Sequence, residues 1–257
     1  APMEFFDTAL SPIPPSLDQL RQALAQDLEG TLSSLSGDFK LCVRLPDGRT
    51  VPAVDRFARQ SLCWSIANGV LQVAGRADQL SNTATPIDPQ ALYDFVYFHV
   101  IPSPRTVFQG VNRVPAGHLV LVQGKTVDVR PYWRPRFSPI RGTPDFDALQ
   151  REFRSLLKSA AAKALGSGLP ACYLSGGTDS TTVLGMVREA TGQAPHAYSI
   201  GFDAKGYDEM AYARIAAKRF GAIHHEYYVT PEDLLAGIPK VAAHYDQPFG
   251  NSSALPA

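Results

Sequence analysis

Hydrophobic and polar positions along the 257 residues change rhythm partway down the chain. In the first half the spacing is that of short strands joined by tight turns. Phe39 to Leu45 and Thr50 to Val54 flank Pro46-Asp47-Gly48-Arg49, a turn with glycine where a positive φ is needed. Leu62 to Ala67 and Val70 to Ala74 flank Asn68-Gly69, the dipeptide that most favours a two-residue hairpin, and His118 to Gln123 and Thr126 to Arg130 flank Gly124-Lys125. Helical spacing interrupts the strands at Leu17 to Leu28 and again at Asp88 to Phe98.

In the second half helices and strands alternate. Thr143-Pro144 supplies a helix cap and a proline at the first helical position, and Phe146, Leu149, Phe153, Leu156, Leu157, Ala160 and Ala164 then recur at helical spacing. There follow a strand Ala171 to Leu174, a helix from Asp179 to Ala190, a strand His196 to Ile200, and a helix from Asp208 to Phe220 stopped by Gly221. A strand Ile223 to Val229 and a helix opened by Thr230-Pro231 complete the series. That order predicts an α/β fold, a mostly parallel sheet with helices on its faces. Of 21 prolines, 15 precede residue 145, and the run Pro131 to Pro144 predicts an extended linker between the halves. There is no internal repeat.

Composition narrows the function class. With 24 Lys+Arg against 24 Asp+Glu the chain lacks the basic surplus of a nucleic-acid binder or a polybasic membrane docker. No window approaches the ~20 apolar residues of a bilayer span. The first residues lack the basic and apolar regions of a signal peptide, and the three cysteines, Cys42, Cys63 and Cys172, form neither a disulfide framework nor a metal pair. The expectation is a cytoplasmic globular protein with no nucleic-acid or membrane partner.

The sharpest chemistry lies at the end of the strand closing on Leu174. Ser175-Gly176-Gly177-Thr178-Asp179-Ser180 then leads into a helix. Adjacent glycines let the main chain approach an anion, and N–H groups at a helix N-terminus favour negative charge. A carboxylate beside phosphate is repulsive unless a cation lies between them, so Asp179 argues for Mg²⁺ bridging carboxylate and phosphate oxygens. The alternative is a tight strand-to-helix turn with ordinary capping hydroxyls. Gly124-Lys125-Thr126 is no Walker A loop, since Leu119 stands where that motif needs glycine; a nucleophile elbow fails at Tyr173. In His224-His225-Glu226, alternation along a strand places His224 and Glu226 on one face and His225 on the other.

Ser175 to Ser180 resembles the pyrophosphate loop of the asparagine synthetase family within the N-type ATP pyrophosphatases. The resemblance continues through Tyr198-Ser-Ile-Gly-Phe202, Tyr207-Asp-Glu209, Gly221 to Glu226, Asp246-Gln-Pro-Phe and Ser252 to Pro256. Upstream, Leu35 to Phe39, Asp55-Arg-Phe57 and Gly110 to Gly117 resemble that family's glutamine amidotransferase domain. The resemblance implies an adenine nucleotide alpha hydrolase-like sheet over residues 145–257, a linker at 138–144, and a partial, degenerate class II (Ntn-type) amidotransferase-like domain over 1–137. It implies cleavage of ATP to AMP and pyrophosphate, with adenylation of a small-molecule or peptide carboxylate that an amine then attacks. By the same resemblance, Leu174 and Ile200 contact adenosine through their main chain. Ser175, Gly176, Gly177, Thr178 and Ser180 hold the phosphates, and Asp179 ligates Mg²⁺. Glu209 is an acidic catalytic candidate, or a carboxylate favoured by its helix dipole. Asp246 lines the substrate side or caps a loop.

Three departures from the family pattern shape the functional expectation. The chain begins Ala1-Pro2-Met3 where the family has its glutaminase cysteine, and the family's glutamine-binding segments are missing. Relatives without that cysteine, the β-lactam synthetases and lasso-peptide cyclases, close an amide with an amine already on the substrate. The chain also stops at Ala257, before the family's second acidic segment and its catalytic lysine, as expected of an N-terminal portion. The leading expectation is therefore an amide-forming ligase without glutaminase activity. The alternatives are a glutamine-dependent asparagine synthetase lacking its N-terminus, or a non-catalytic nucleotide-binding module. A homodimer is left open.

Overall fold

The structure is a computed structural model that describes residues 5–9, 16–139, 142–166, 168–203, 208–248 and 250. It divides into two compact units, residues 1–137 with 240–254, and residues 138–239 with 255–257.

In the first unit the alternating pattern becomes two antiparallel sheets. Strands β1 (Phe5–Ala9), β2 (Asp38–Arg44), β3 (Thr50–Val54), β7 (His118–Gln123) and β8 (Thr126–Pro131) lie side by side in that order. Strand β4 (Cys63–Ala67) lies between β5 (Val70–Ala74) and β6 (Val111–Arg113). Asn68 and Gly69 both have positive φ, 52° and 76°, the conformation a two-residue hairpin between β4 and β5 requires.

Helices α1 (Leu17–Gln26) and α2 (Leu28–Ser34) bury Leu20, Leu24 and Leu32 with Phe39, Leu41, Val43, Val51 and Leu119 of the larger sheet. Val54, Leu62, Trp64, Val114, Val120 and Val122 form a second cluster that draws on strands of both sheets. The helix expected over Leu17 to Leu28 is α1, and α2 follows it as a second helix that the spacing did not predict. Asp27 ends the first with an extended backbone and caps the second by accepting from Gly30 N. Strands β1 and β6 escape the pattern; β6 has only three residues, too few to show a period. Helix α3 (Pro89–Phe98) is capped by Asp88 with proline first, as its sequence predicts.

The second unit is built on a three-stranded parallel sheet in the order β11 (Ile223–Val229), β10 (His196–Phe202), β9 (Ala171–Tyr173). Helices α5 (Thr178–Thr191) and α6 (Met210–Phe220) cover one face. Leu174 and Ala197 pack there against Leu184, Met210, Ala213, Ala216 and Ala217, with Cys172 and Phe220 partly buried beside them. On the opposite face Tyr173, Tyr198 and Tyr227 stay substantially exposed. Helix α7 (Pro231–His244) opens with reciprocal bonds: Asp233 N donates to Thr230 Oγ1, and Thr230 N to Asp233 Oδ2.

Helix α4 (Phe146–Ala164) departs from expectation at its cap. Its cap is Asp145, which accepts from Ala148 N, rather than Thr143. The apolar stripe does not enter this unit's core: Phe146, Leu149, Phe153 and Leu156 are exposed, and no residue of α4 is buried. Arg154 and Lys158 reach Glu189 of α5 at 2.9 and 3.3 Å, and of the stripe's leucines Leu157 alone is partly buried. Periodicity fixes that a helix has an apolar side; it does not say what that side meets.

Packing within the unit yields a contrast in stability. In the 257-residue chain, Leu184→Ala, at a fully buried position, is expected to cost about 2–5 kcal/mol. Phe153→Ala, on the exposed stripe, is expected to change stability by less than about 0.5 kcal/mol. Urea unfolding followed by circular dichroism measures both; equal losses would contradict this packing.

Candidate nucleotide site

The second unit's loop between β9 and α5 is shaped by what Gly176 lacks. Its φ is +85°, and a Cβ there would lie 2.6 Å from Ala213 N and 2.8 Å from Tyr212 C, closer than such atoms approach. The first turn of α6 therefore packs directly against the loop main chain. Gly177, at −69° and 164°, is the N-cap of α5 and offers no side chain to the helix end. The first N–H groups of α5 are consequently without an internal acceptor and available to an anion.

Hydroxyls fasten the loop to itself. Ser175 N donates to Ser180 Oγ at 3.2 Å, the two serine hydroxyls lie 3.0 Å apart, and Gly177 N donates to Ser175 Oγ at 3.2 Å. Ser180 Oγ also donates to Gly177 O at 3.3 Å. Thr178 and Asp179 occupy the exposed first turn, and Asp179 makes no ion pair among the described residues. A tight turn with ordinary caps would place a hydroxyl or carboxylate on the helix N–H groups, and no side-chain cap forms here.

The strand residues expected at the nucleotide divide between two sides of the sheet. The Leu174 side chain is sealed in the core, so only its main chain is presented, with its N–H donating to Tyr198 O at 2.8 Å. Ile200 lies on the opposite face, in a concavity of about 500 Å³ also lined by Ala171, Tyr173, Tyr198, His225 and Tyr227. That concavity does not include the serine–glycine loop. The rings of Tyr198 and His225 stack there with centroids 4.5 Å apart, and His196 stacks on His225.

Glu209 is the N-cap residue of α6, exposed, and makes no side-chain cap bond; its carbonyl accepts from Tyr212 N and Ala213 N. The helix that abuts Gly176 thus starts at Glu209, which puts this carboxylate on the element that packs against the loop. Tyr207 and Ser252 to Pro256 fall outside the described residues. Asp246 belongs to the other unit, where both of its oxygens are engaged. Oδ1 accepts from Arg113 Nη2 at 2.9 Å, and Oδ2 from Ala77 N at 2.7 Å. Its place in the structure is an anchor, the loop role of the two that its sequence allows.

Beneath the loop runs a polar chain to which the sequence motifs gave no role. Ser199, buried in β10, donates to Leu174 O at 2.6 Å and lies 2.7 Å from His224 Nε2. His224 Nδ1 lies 3.3 Å from Glu226 Oε1, and Arg214 of α6 grips Glu226 in a bidentate pair at 2.8 and 2.6 Å. The Arg214 guanidinium holds the Glu226 carboxyl below its ordinary range. His224 and Glu226 share the helix-covered face and His225 the other, as alternation predicts. The available signal for Ser199 was a small polar residue at an inward position of a strand.

The loop can hold a polyphosphate and, through Asp179, a hard cation. No group of three or more histidine, cysteine or acidic side chains converges among the described residues. No helix among the described residues is long and apolar enough to cross a membrane.

Comparison with known proteins agrees with this architecture. Residues 20–133 match the model of a glutamine amidotransferase domain, and residues 152–257 that of asparagine synthase. A putative glutamine-hydrolysing asparagine synthetase of Methanocaldococcus jannaschii is 33% identical over 180 residues, covering 68% of this chain and 34% of that protein. Glutamine-hydrolysing asparagine synthetase 1 of Bacillus subtilis is 24% identical over 233 residues, covering 89% of this chain and 36% of its own. A putative enzyme of the same description from Mycobacterium bovis is 27% identical over 178 residues, covering 67% and 27%. The chain thus spans about a third of the length of the curated relatives it matches. With an amidotransferase-type domain of antiparallel sheets followed by a parallel-sheet domain carrying the pyrophosphate loop, the chain belongs to the asparagine synthetase and amidotransferase superfamily.

Proposed function

We propose that these residues belong to a glutamine-dependent asparagine synthetase. Such an enzyme joins an aspartate carboxylate to nitrogen drawn from glutamine at the expense of ATP, releasing AMP and pyrophosphate. The observation that carries the reading is the uncapped start of α5 behind a glycine cradle, with Asp179 unpaired among the described residues on its first turn. That arrangement suits a leaving pyrophosphate: N–H groups meet developing charge without having to reorganise. Two domain matches in this order, and relatives that share the description, favour this reading over ring closure by an amine already on the substrate.

Each part of the loop has a task in this reading. The first N–H groups of α5 bind phosphate oxygens, while Ser175 and Ser180 keep the loop closed around them. Ile200 offers main-chain groups to the adenosine portion, and Leu174, whose N–H is held by Tyr198 O and whose carbonyl accepts from Ser199, offers that carbonyl's second lone pair. Asp179 would hold Mg²⁺, which when bound neutralises charge on the departing pyrophosphate. Glu209, at the start of the helix behind Gly176, takes the acidic role at the adenylated carboxylate.

Product analysis on the full-length protein tests the reading. With Mg-ATP, aspartate and glutamine, AMP and asparagine are expected in equal amounts, and omission of aspartate is expected to stop AMP formation. ADP as product, or AMP formed without regard to aspartate, would overturn it. Asp179→Ala is expected to lower kcat/KM for ATP at least about 100-fold. Gly176→Ala is expected to abolish ATP binding and to destabilise the second unit by roughly 2 kcal/mol or more, because strain at positive φ adds to a main-chain clash.

A further inference from the structure

We propose that Ser199 and His224 are positioning residues for the nucleotide, acting through the peptide plane between Leu174 and Ser175. The inference rests on the reading that the loop binds ATP. A trans peptide is rigid, so its carbonyl and N–H turn together. In this plane the Leu174 carbonyl accepts from Ser199 Oγ at 2.6 Å, and the Ser175 N–H donates to Ser180 Oγ at 3.2 Å. Leu174 N–H is held in turn by Tyr198 O at 2.8 Å. The plane at the mouth of the loop is therefore clamped at both ends, and the glycines beyond it inherit its orientation.

Ser199 has one hydroxyl proton, and Leu174 O takes it. The His224 Nε2 at 2.7 Å is then the donor to Ser199 Oγ, so that nitrogen carries a proton. Glu226 faces the other ring nitrogen at 3.3 Å, and Arg214 fixes Glu226. Arg214 follows Ala213, the residue whose amide nitrogen lies against Gly176. Both ends of the chain of bonds thus reach the same loop: one at its first peptide, the other through the helix that packs on its glycine.

A serine, a histidine and a carboxylate in this order also suggest a hydrolytic nucleophile with its base. Ser199 is 4% exposed and gives its proton to a main-chain carbonyl, so no substrate reaches it. The arrangement positions main chain.

The test is the affinity of the full-length protein for Mg²⁺ with α,β-methylene-ATP, together with KM values for ATP and aspartate. Ser199→Ala and His224→Leu are each expected to weaken nucleotide binding about 5- to 10-fold and to raise KM for ATP equally, leaving KM for aspartate unchanged. Because both act through one hydroxyl, the double variant is expected to bind no more weakly than the weaker single one. His224→Gln, whose amide nitrogen can replace Nε2, is expected to come within about twofold of the native affinity. Should Ser199→Ala fail to fold, Ser199→Cys, nearly isosteric with a weaker donor, is expected to show an intermediate loss. Native affinity in the Ser199 variant, additive losses, or His224→Gln no better than His224→Leu would overturn the inference alone. A native protein that binds no ATP would overturn the loop reading and this inference with it.

Discussion

The second unit depends on a contact that tolerates no side chain. Helix α6 reaches the main chain of Gly176, where an added Cβ would meet the amide nitrogen of Ala213 at 2.6 Å. Alanines recur on the inner side of α6, at 213, 216 and 217, and let the helix lie close to the sheet and to Leu174, Leu184 and Ala197. Close approach fixes where α6 begins, and hence where Glu209 stands. It also brings Arg214 to Glu226, and through Glu226 and His224 the same helix reaches the buried hydroxyl of Ser199. Packing and polar order in this unit are therefore one arrangement.

Charge is distributed in keeping with this. The loop's own hydroxyls bond to one another and to main chain, while Asp179 and Glu209 remain on exposed first turns. Ser199, buried beneath the loop, is bonded on both sides, so the structure there is held in place where the surface above it is open. A phosphate site needs both conditions: donors held in place beforehand, and acceptors kept away from them until the ligand arrives.

Local chemistry explains which parts of the structure were legible in the sequence. Turn dipeptides placed the hairpin at Asn68-Gly69, and the helix–strand rhythm after residue 145 gave the parallel sheet. The loop was legible because Ser175 to Ser180, followed by further segments in the same order, resembles a family's pyrophosphate loop; spacing alone also allowed an ordinary turn. Strand β6 was missed because its three residues carry no period of their own. The direction in which α4 turns its apolar stripe depends on neighbours that no local pattern encodes. Ser199 and His224 were visible only as a small polar residue and a strand histidine, and their meeting requires the register that pairs Ala197 with His224. Asp246 likewise looked equally suited to a substrate or a loop until Arg113 and the Ala77 amide claimed its oxygens.

The central claim is that the main chain from Leu174 to Ser180 receives the phosphates of ATP. Amide hydrogen exchange of the full-length protein, read by mass spectrometry with and without Mg-ATP, addresses it most directly. The account predicts slowed exchange in peptides covering Gly176 to Ser180, where the free N–H groups of α5 acquire acceptors. Unchanged exchange there, with protection confined to other segments, would contradict it.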